Sequence, residues 1–341
     1  MQMRDDLGII TKLENGKAYL EFVLPEKIGR LLSALQIEIW EGAEGERLVF
    51  HGEYSSEEAD SMTALLLRPH LWDGMRDPYV YLVKAQGRFR SVEYGEKMGG
   101  MEKEEKSDPA EDITGEVEMY WRQELTIYDV HVVEKKGILL NEKEFLPHEV
   151  VYRLPPQISD AGTRVEQVRR DLERLVRMGV NVIRLEGTGT GAEGVNCSEV
   201  RTFYSLCRKR GFLTGDLWIR PEKLPVYRGL PGETAEDALL SVDGRTLTER
   251  YYYYQAKWSS EPVLYPVLST LHRQENGLLS LTIYSNQKKV VLYVEGVLFL
   301  FQSAASGDPE FIFEDIPVAK LPLHLAAEAG NLSISLTVTK L

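Results

Sequence analysis

Apolar residues recur with a period of two at both ends of the chain and with a helical period in its middle. From residue 18 to about 128 strand-like runs repeat: Leu35, Ile37 and Ile39 alternate with Gln36, Glu38 and Trp40, and Tyr79-Val80-Tyr81-Leu82-Val83 form a second β-rich run. Each such strand has one apolar face to bury. Short strands joined by turns do this by pairing two sheets, so a β-sandwich is predicted over residues 1–130. Residues 96–116, EKMGGMEKEEKSDPAEDITGE, break the alternation with charges, glycines and a proline, the composition of a solvated loop.

Between 159 and 216 the pattern is helical. Thr163 and Glu166 have the spacing of a capping box, the stripe Val165, Val168, Leu172, Leu175, Val176 runs to Met178, and Gly179 can end the helix. Val180, Val182, Ile183 and Leu185 then read as a strand and residues 187–194 as a glycine-rich turn. Ser198 can cap a second helix with Val200, Phe203, Tyr204 and Cys207 on one face, closed by Gly211, and Phe212-Leu213-Thr214 reads as a further strand. Helix, strand, helix, strand predicts parallel neighbours. A loop-like joint is expected at 219–250, with Pro221, Pro225 and Pro231. After about 250 alternation returns, with Leu332, Ile334, Leu336 and Val338 set against Ser333, Ser335, Thr337 and Thr339. The predicted organisation is a β-sandwich at 1–130, an α/β segment at 131–250 and a second sandwich at 251–341.

Composition narrows the function classes. Over 341 residues, 43% hydrophobic and 27% charged positions fit globular domains, and 53 acidic against 40 basic residues leave a net charge of −13. That sign argues against binding nucleic acid or an anionic membrane surface. No signal-peptide pattern or long apolar run is seen, so a cytoplasmic location is expected. Cys197 and Cys207 are too few for a disulfide scaffold or a cysteine-based zinc site, and a buried thiol is expected at Cys207. The histidines at 51, 70, 131, 148, 272 and 324 include no i, i+4 pair, so neither a metal nor a cofactor is expected.

Five stretches add a resemblance. LWDGMRDPYVYLV at 71–83 resembles the signature before the barrel in glycoside hydrolase family 2, the β-galactosidase and β-glucuronidase family, and GILLNEKEF at 137–145 resembles the hairpin that opens the barrel. RRDLERLVRMGVNVIRL at 169–185, with FYSLCRKRGFL at 203–213, is similar to the first barrel helix, second strand and second helix. DGRTLTERYYYYQAKWSSEPVLY at 243–265 and SNQKKVVLYVEG at 285–296 resemble the stretch that leaves the barrel for a C-terminal domain. The resemblance implies an immunoglobulin-like sandwich, a remnant of a (β/α) barrel and a C-terminal immunoglobulin-like sandwich. A whole barrel takes about 250 residues, and only about 120 lie between the two sandwiches.

A retaining glycosidase needs two carboxyl groups about 5–5.5 Å apart. The family carries them on a middle and a late barrel strand, for which the chain has no counterpart. Asn141-Glu142, the only Asn-Glu pair, falls in the opening hairpin, so Glu142 reads as a turn residue. Leu185-Glu186-Gly187 also departs from the family's pattern, and Arg208 stands in place of an aspartate. The expectation is therefore a non-catalytic, carbohydrate-related binding or assembly protein. The alternative is a β-glycosidase with a carboxylate pair rebuilt from Glu186, Asp216 or Glu149.

Arg184, His148 and Trp258 are the candidate substrate-binding residues, the last near the aromatic run Tyr251–Tyr254. Gly189-Thr190-Gly191-Ala192-Glu193-Gly194, with Asp216 following, matches a dinucleotide fingerprint in letters, but the segment is read as having no room for the doubly wound sheet that fingerprint needs. An open parallel remnant would expose apolar surface, so a second copy or a protein partner is expected to cover it, with carbohydrate as the expected ligand.

Overall fold

The computed structural model describes residues 7–92, 113–155, 161–186, 197–215, 224–228, 238–241, 243–305 and 307–340. Two compact units, Met1–Phe145 and Leu146–Leu341, divide the chain. Part of the charged loop expected at 96–116 lies outside the described residues, as do the glycine-rich turn and Asp216.

In the first unit β1 (Gly8–Glu14), β2 (Lys17–Val23), the single helical turn α1 (Glu26–Gly29), β3 (Leu32–Glu41), β4 (Arg47–Ser55), β5 (Thr63–Leu67), β6 (Tyr81–Val92) and β7 (Ile113–Leu125) follow one another. They form two antiparallel sheets, β1-β2-β5 and β4-β3-β6-β7. Period two does the work predicted for it. Ala18, Leu20, Phe22, Ala64 and Leu66 of one sheet meet Leu35, Ile37, Ile39, Val83 and Ala85 of the other in one buried cluster. A hairpin of β8 (Val130–Val133), β9 (Gly137–Leu140) and β10 (Lys143–Glu144) closes the unit. Its turn holds Asn141 and Glu142 at φ 49° and 64°, the conformation that favours Asn-Gly, so Glu142 is the exposed turn residue expected.

The second unit begins with a parallel sheet. β11 (Glu149–Tyr152), helix α2 (Ala161–Met178), β12 (Val182–Leu185), helix α3 (Cys197–Lys209), β13 (Leu213–Thr214), β14 (Val226–Arg228) and β15 (Ala238–Leu240) give the strand order β13-β12-β11-β14-β15, with all four pairings parallel. Most of the stripe read from the sequence is the buried side of α2: Val168, Leu172, Leu175 and Met178 pack with Val150, Tyr152, Ile183 and Leu185, whereas Val176 of that stripe is exposed. Gly179 ends the helix at φ 88°, and a Cβ there would come within 2.5 Å of the Trp258 carbonyl oxygen, so glycine is required on two counts.

Three expectations are corrected. α2 starts at Ala161 and α3 at Cys197, so Thr163 and Ser198 lie inside the helices instead of capping them. The joint expected at 219–250 contributes β14 and β15, strands of three residues that are too short to show a period. Most of all, the chain does have room for an open five-stranded parallel sheet, because these two short strands add to the side of β11 opposite β12.

Helix α4 (Glu249–Trp258) follows, and Tyr251 is buried in the same cluster as α2, its hydroxyl donating to the Arg174 carbonyl at 2.7 Å. The remaining strands are β16 (Leu264–Arg273), β17 (Leu279–Ser285), β18 (Lys289–Val294), β19 (Val297–Ser303), β20 (Glu310–Ile316), β21 (Leu323–Ala329) and β22 (Leu332–Val338). They build the antiparallel sheets β16-β17-β20 and β19-β18-β21-β22 around a shared apolar cluster.

Candidate functional site

Parallel sheets carry functional groups beyond the carboxyl ends of their strands, at the point where strand order reverses. In the order β13-β12-β11-β14-β15 that point lies between β11 and β14. Arg153 follows β11, Glu186 follows β12, and Arg228 ends β14. The Arg153 guanidinium donates from Nε to Glu186 and from Nη1 to the Arg228 carbonyl at 3.2 Å. The rim carboxylate singled out in the sequence is therefore held in an ion pair, with Arg153 and not with Arg184.

Arg184 points elsewhere. Its Nε donates to Oε1 of Glu149 at 3.0 Å, and Glu149 is only 1% exposed at the start of β11. Since Glu149 stands opposite Val182 and Glu186 comes four residues later, the two backbone positions are separated by about 13 Å of strand rise.

His148 and Trp258 occupy the amino end of the same sheet. The His148 backbone N–H donates to Asn181 Oδ1 at 2.7 Å, its Nδ1 lies 2.9 Å from the Gly179 carbonyl, and its ring stacks on Trp258 with centroids 5.2 Å apart and planes 6° from parallel. Burial pushes the imidazole pKa below 6.5, against the Gly179 carbonyl, which pulls it up. The expected residues thus separate: Glu186 lies at the carboxyl end, His148 and Trp258 at the amino end, and Glu149 with Arg184 between the strands. Asp216 is outside the described residues.

The most concentrated chemistry was not singled out in the sequence. Asp171, on α2 and fully buried, accepts hydrogen bonds from Tyr152 Oη at 2.9 Å, Tyr227 Oη at 3.1 Å, Gln167 Nε2 at 3.0 Å and Arg228 Nη2 at 2.9 Å. Burial, reinforced by the Asp171 carboxylate, pushes both phenols well above their ordinary pKa, so both stay protonated and donate. The signal was present: Asp171 falls three residues after Val168 and four before Leu175, on the apolar stripe. Because its oxygens are committed to these donors, the cluster is built to hold α2 against β11 and β14.

Cys207 is buried, and burial pushes its thiol pKa far up, which leaves it unreactive. Among the described residues one group, Asp129, His131 and Glu142 of the first unit, brings three metal-ligand atoms within 4.8 Å of one another. Its Asp129 Oδ2 and His131 Nδ1 are already 2.6 Å apart in a hydrogen bond. No helix among the described residues is long and apolar enough to cross a membrane.

Known structures resemble the chain along nearly its whole length. An FMN-binding β-glucuronidase from Facaelibacterium prausnitzii L2-6 aligns with TM-score 0.61 and 14% identity over 98% of this chain and 73% of its own. A putative β-galactosidase from Bacteroides fragilis aligns with TM-score 0.63 and 13% identity over 97% of this chain and 72% of its own. A glycosyl hydrolase family 2 member from Bacteroides cellulosilyticus DSM 14838 aligns with TM-score 0.59 and 12% identity over 98% and 62%. The fold is shared with these glycosidase structures. The resemblance read from the sequence holds at the level of fold, and this chain spans 62–73% of the length of these structures. No family model matches the sequence, and no curated protein matches it.

Proposed function

We propose that the chain is a shortened family 2 relative without glycosidase activity, a carbohydrate-related binding or assembly protein whose parallel sheet is the remnant of a barrel. The observation that carries the reading is that both carboxylates on the described strands of the sheet and their ends are committed to arginines: Glu186 is paired with Arg153, and Glu149, its backbone about 13 Å of strand rise from that of Glu186, is buried and paired with Arg184. Retaining and inverting mechanisms work at about 5–9.5 Å. Five parallel strands among the described residues, where a barrel has eight, support the same reading. An open sheet also needs cover, and a second copy of the chain or a protein partner is the expected occupant.

The test is hydrolysis of aryl β-galactoside, β-glucuronide and β-mannoside by concentrated protein over a day. No turnover is expected. Turnover lost in Glu186→Gln or Asp216→Asn would overturn the reading in favour of a rebuilt carboxylate pair.

A further inference from the structure

The polar half of the alternation in β3 is left unused by the reading above, and it lines the floor of a surface depression. While Leu35, Ile37 and Ile39 enter the sandwich core, Ala34, Gln36, Glu38 and Trp40 face outward from the sheet β4-β3-β6-β7. Strand register places these side chains in rows across all four strands. Glu53, Gln36, Gln86 and Tyr120 stand side by side in one row; Ser55, Ala34, Arg88 and Glu118 stand in the next. Over these rows lies an open surface depression of about 600 Å³, lined by residues including Gln36, Glu53, Gln86, Arg88 and Glu118, with Tyr54 at its side. Ligand pockets fall in the range of roughly 300–1,000 Å³.

We propose that this face binds a neutral saccharide. The proposal rests on the carbohydrate-related reading for its choice of ligand and locates the site that reading leaves open. Three features select the class. The lining offers amides, carboxylates and a guanidinium, planar groups that engage neighbouring hydroxyls two at a time. Its carboxylates Glu53, Glu58 and Glu118 outnumber the single cation Arg88, which disfavours phosphates and uronic acids. Its lining is predominantly polar, unlike the apolar pockets that anchor a peptide side chain.

Part of the site is also held in place in advance. Gln86 Nε2 donates to Tyr120 Oη at 3.1 Å and Tyr120 Oη donates to Glu118 at 2.5 Å, so the amide and the carboxylate are both oriented, and Tyr120 presents an exposed ring beside them. Glu58 is oriented separately, accepting from the Ser55 backbone N–H and hydroxyl, both at 2.9 Å. The small side chain of Ala34, between Ser55 and Arg88, leaves the space that a larger residue would fill.

The experiment titrates the full chain with lactose, cellobiose, mannobiose and glucuronic acid, followed by ligand-observed NMR and calorimetry. Gln36→Ala and Arg88→Ala are compared with Tyr19→Ala, an exposed residue on the other sheet of the sandwich. At least one neutral disaccharide should bind, glucuronic acid should bind more weakly, and the first two variants should weaken binding about tenfold or more at unchanged melting temperature. Tyr19→Ala should change nothing. Binding that survives both Gln36→Ala and Arg88→Ala overturns this site while leaving the carbohydrate reading intact. No binding by any probe overturns both, and a preference for glucuronic acid overturns the neutral class.

Discussion

The sandwich of the first unit and the parallel sheet of the second are held together by different means. All buried polar or charged residues among the described ones lie in the second unit: Glu149, Arg164, Asp171 and Arg228 in its α/β part, and Ser280, Thr282 and Ser285 in its C-terminal strands. The sandwich core is apolar throughout, from Leu20 and Phe22 to Ile37 and Val83. Non-directional burial tolerates local change as long as volume and pattern are kept. A buried carboxylate with four donors tolerates very little, because losing one side leaves the other charged and desolvated. The parallel sheet, with strands of two to four residues, has little ladder of its own, and the Asp171 cluster supplies specific contacts that the ladder lacks.

That contrast can be broken. Asp171→Leu should cost about 3–5 kcal/mol by stranding Arg228, Tyr152 and Tyr227, and chemical denaturation followed by tryptophan fluorescence should show the second unit melting early with the first unit's transition unchanged. Ile37→Ala should produce the reverse at about 2–4 kcal/mol, destabilising the first unit alone. If either substitution lowered both transitions equally, the two regions would not be energetically distinct. Gly179→Ala, which meets a left-handed φ and the Trp258 carbonyl together, should cost about 2–3 kcal/mol in the second unit, measured by the same denaturation.

Smaller effects sharpen the comparison. Arg153→Ala, at a partly exposed rim pair, should shift stability by less than about 1 kcal/mol, in contrast to Asp171, and thermal melts will show it. His148 gives a pH signature. Its folded pKa lies below the ordinary 6.5, so the unfolded chain binds the proton more readily, and stability is fully present above 6.5 and declines as pH falls through the folded value. Melting temperature against pH should lose that acid-side slope in His148→Gln.

Much of the architecture was legible because it is periodic. Leu35, Ile37 and Ile39 announced a strand of the first sandwich, and Val168, Leu172 and Leu175 announced the buried side of α2. Gly179 and Gly211 marked both helix ends, each at positive φ. The site was far less legible. Glu186 sits at a strand end as expected, yet its partner Arg153 is 33 residues away in sequence, and no local spacing relates the two. Arg228 joins Asp171 across 57 residues, from a strand too short to be recognised.

What the sequence determined by itself is the alternation and helical stripes that set which faces turn inward, since side-chain direction follows from backbone period alone. Tertiary structure decided which strands become neighbours. The register of β11 with β12 set Glu149 apart from Glu186 and left Tyr152 facing Asp171, and adding β14 and β15 to the other side of β11 made an open sheet and brought Tyr227 and Arg228 against Asp171 as well. The physical reason is that hydrogen-bond partners in a parallel sheet are chosen by packing over long loops, and the energy of a buried charge depends entirely on which donors that packing delivers.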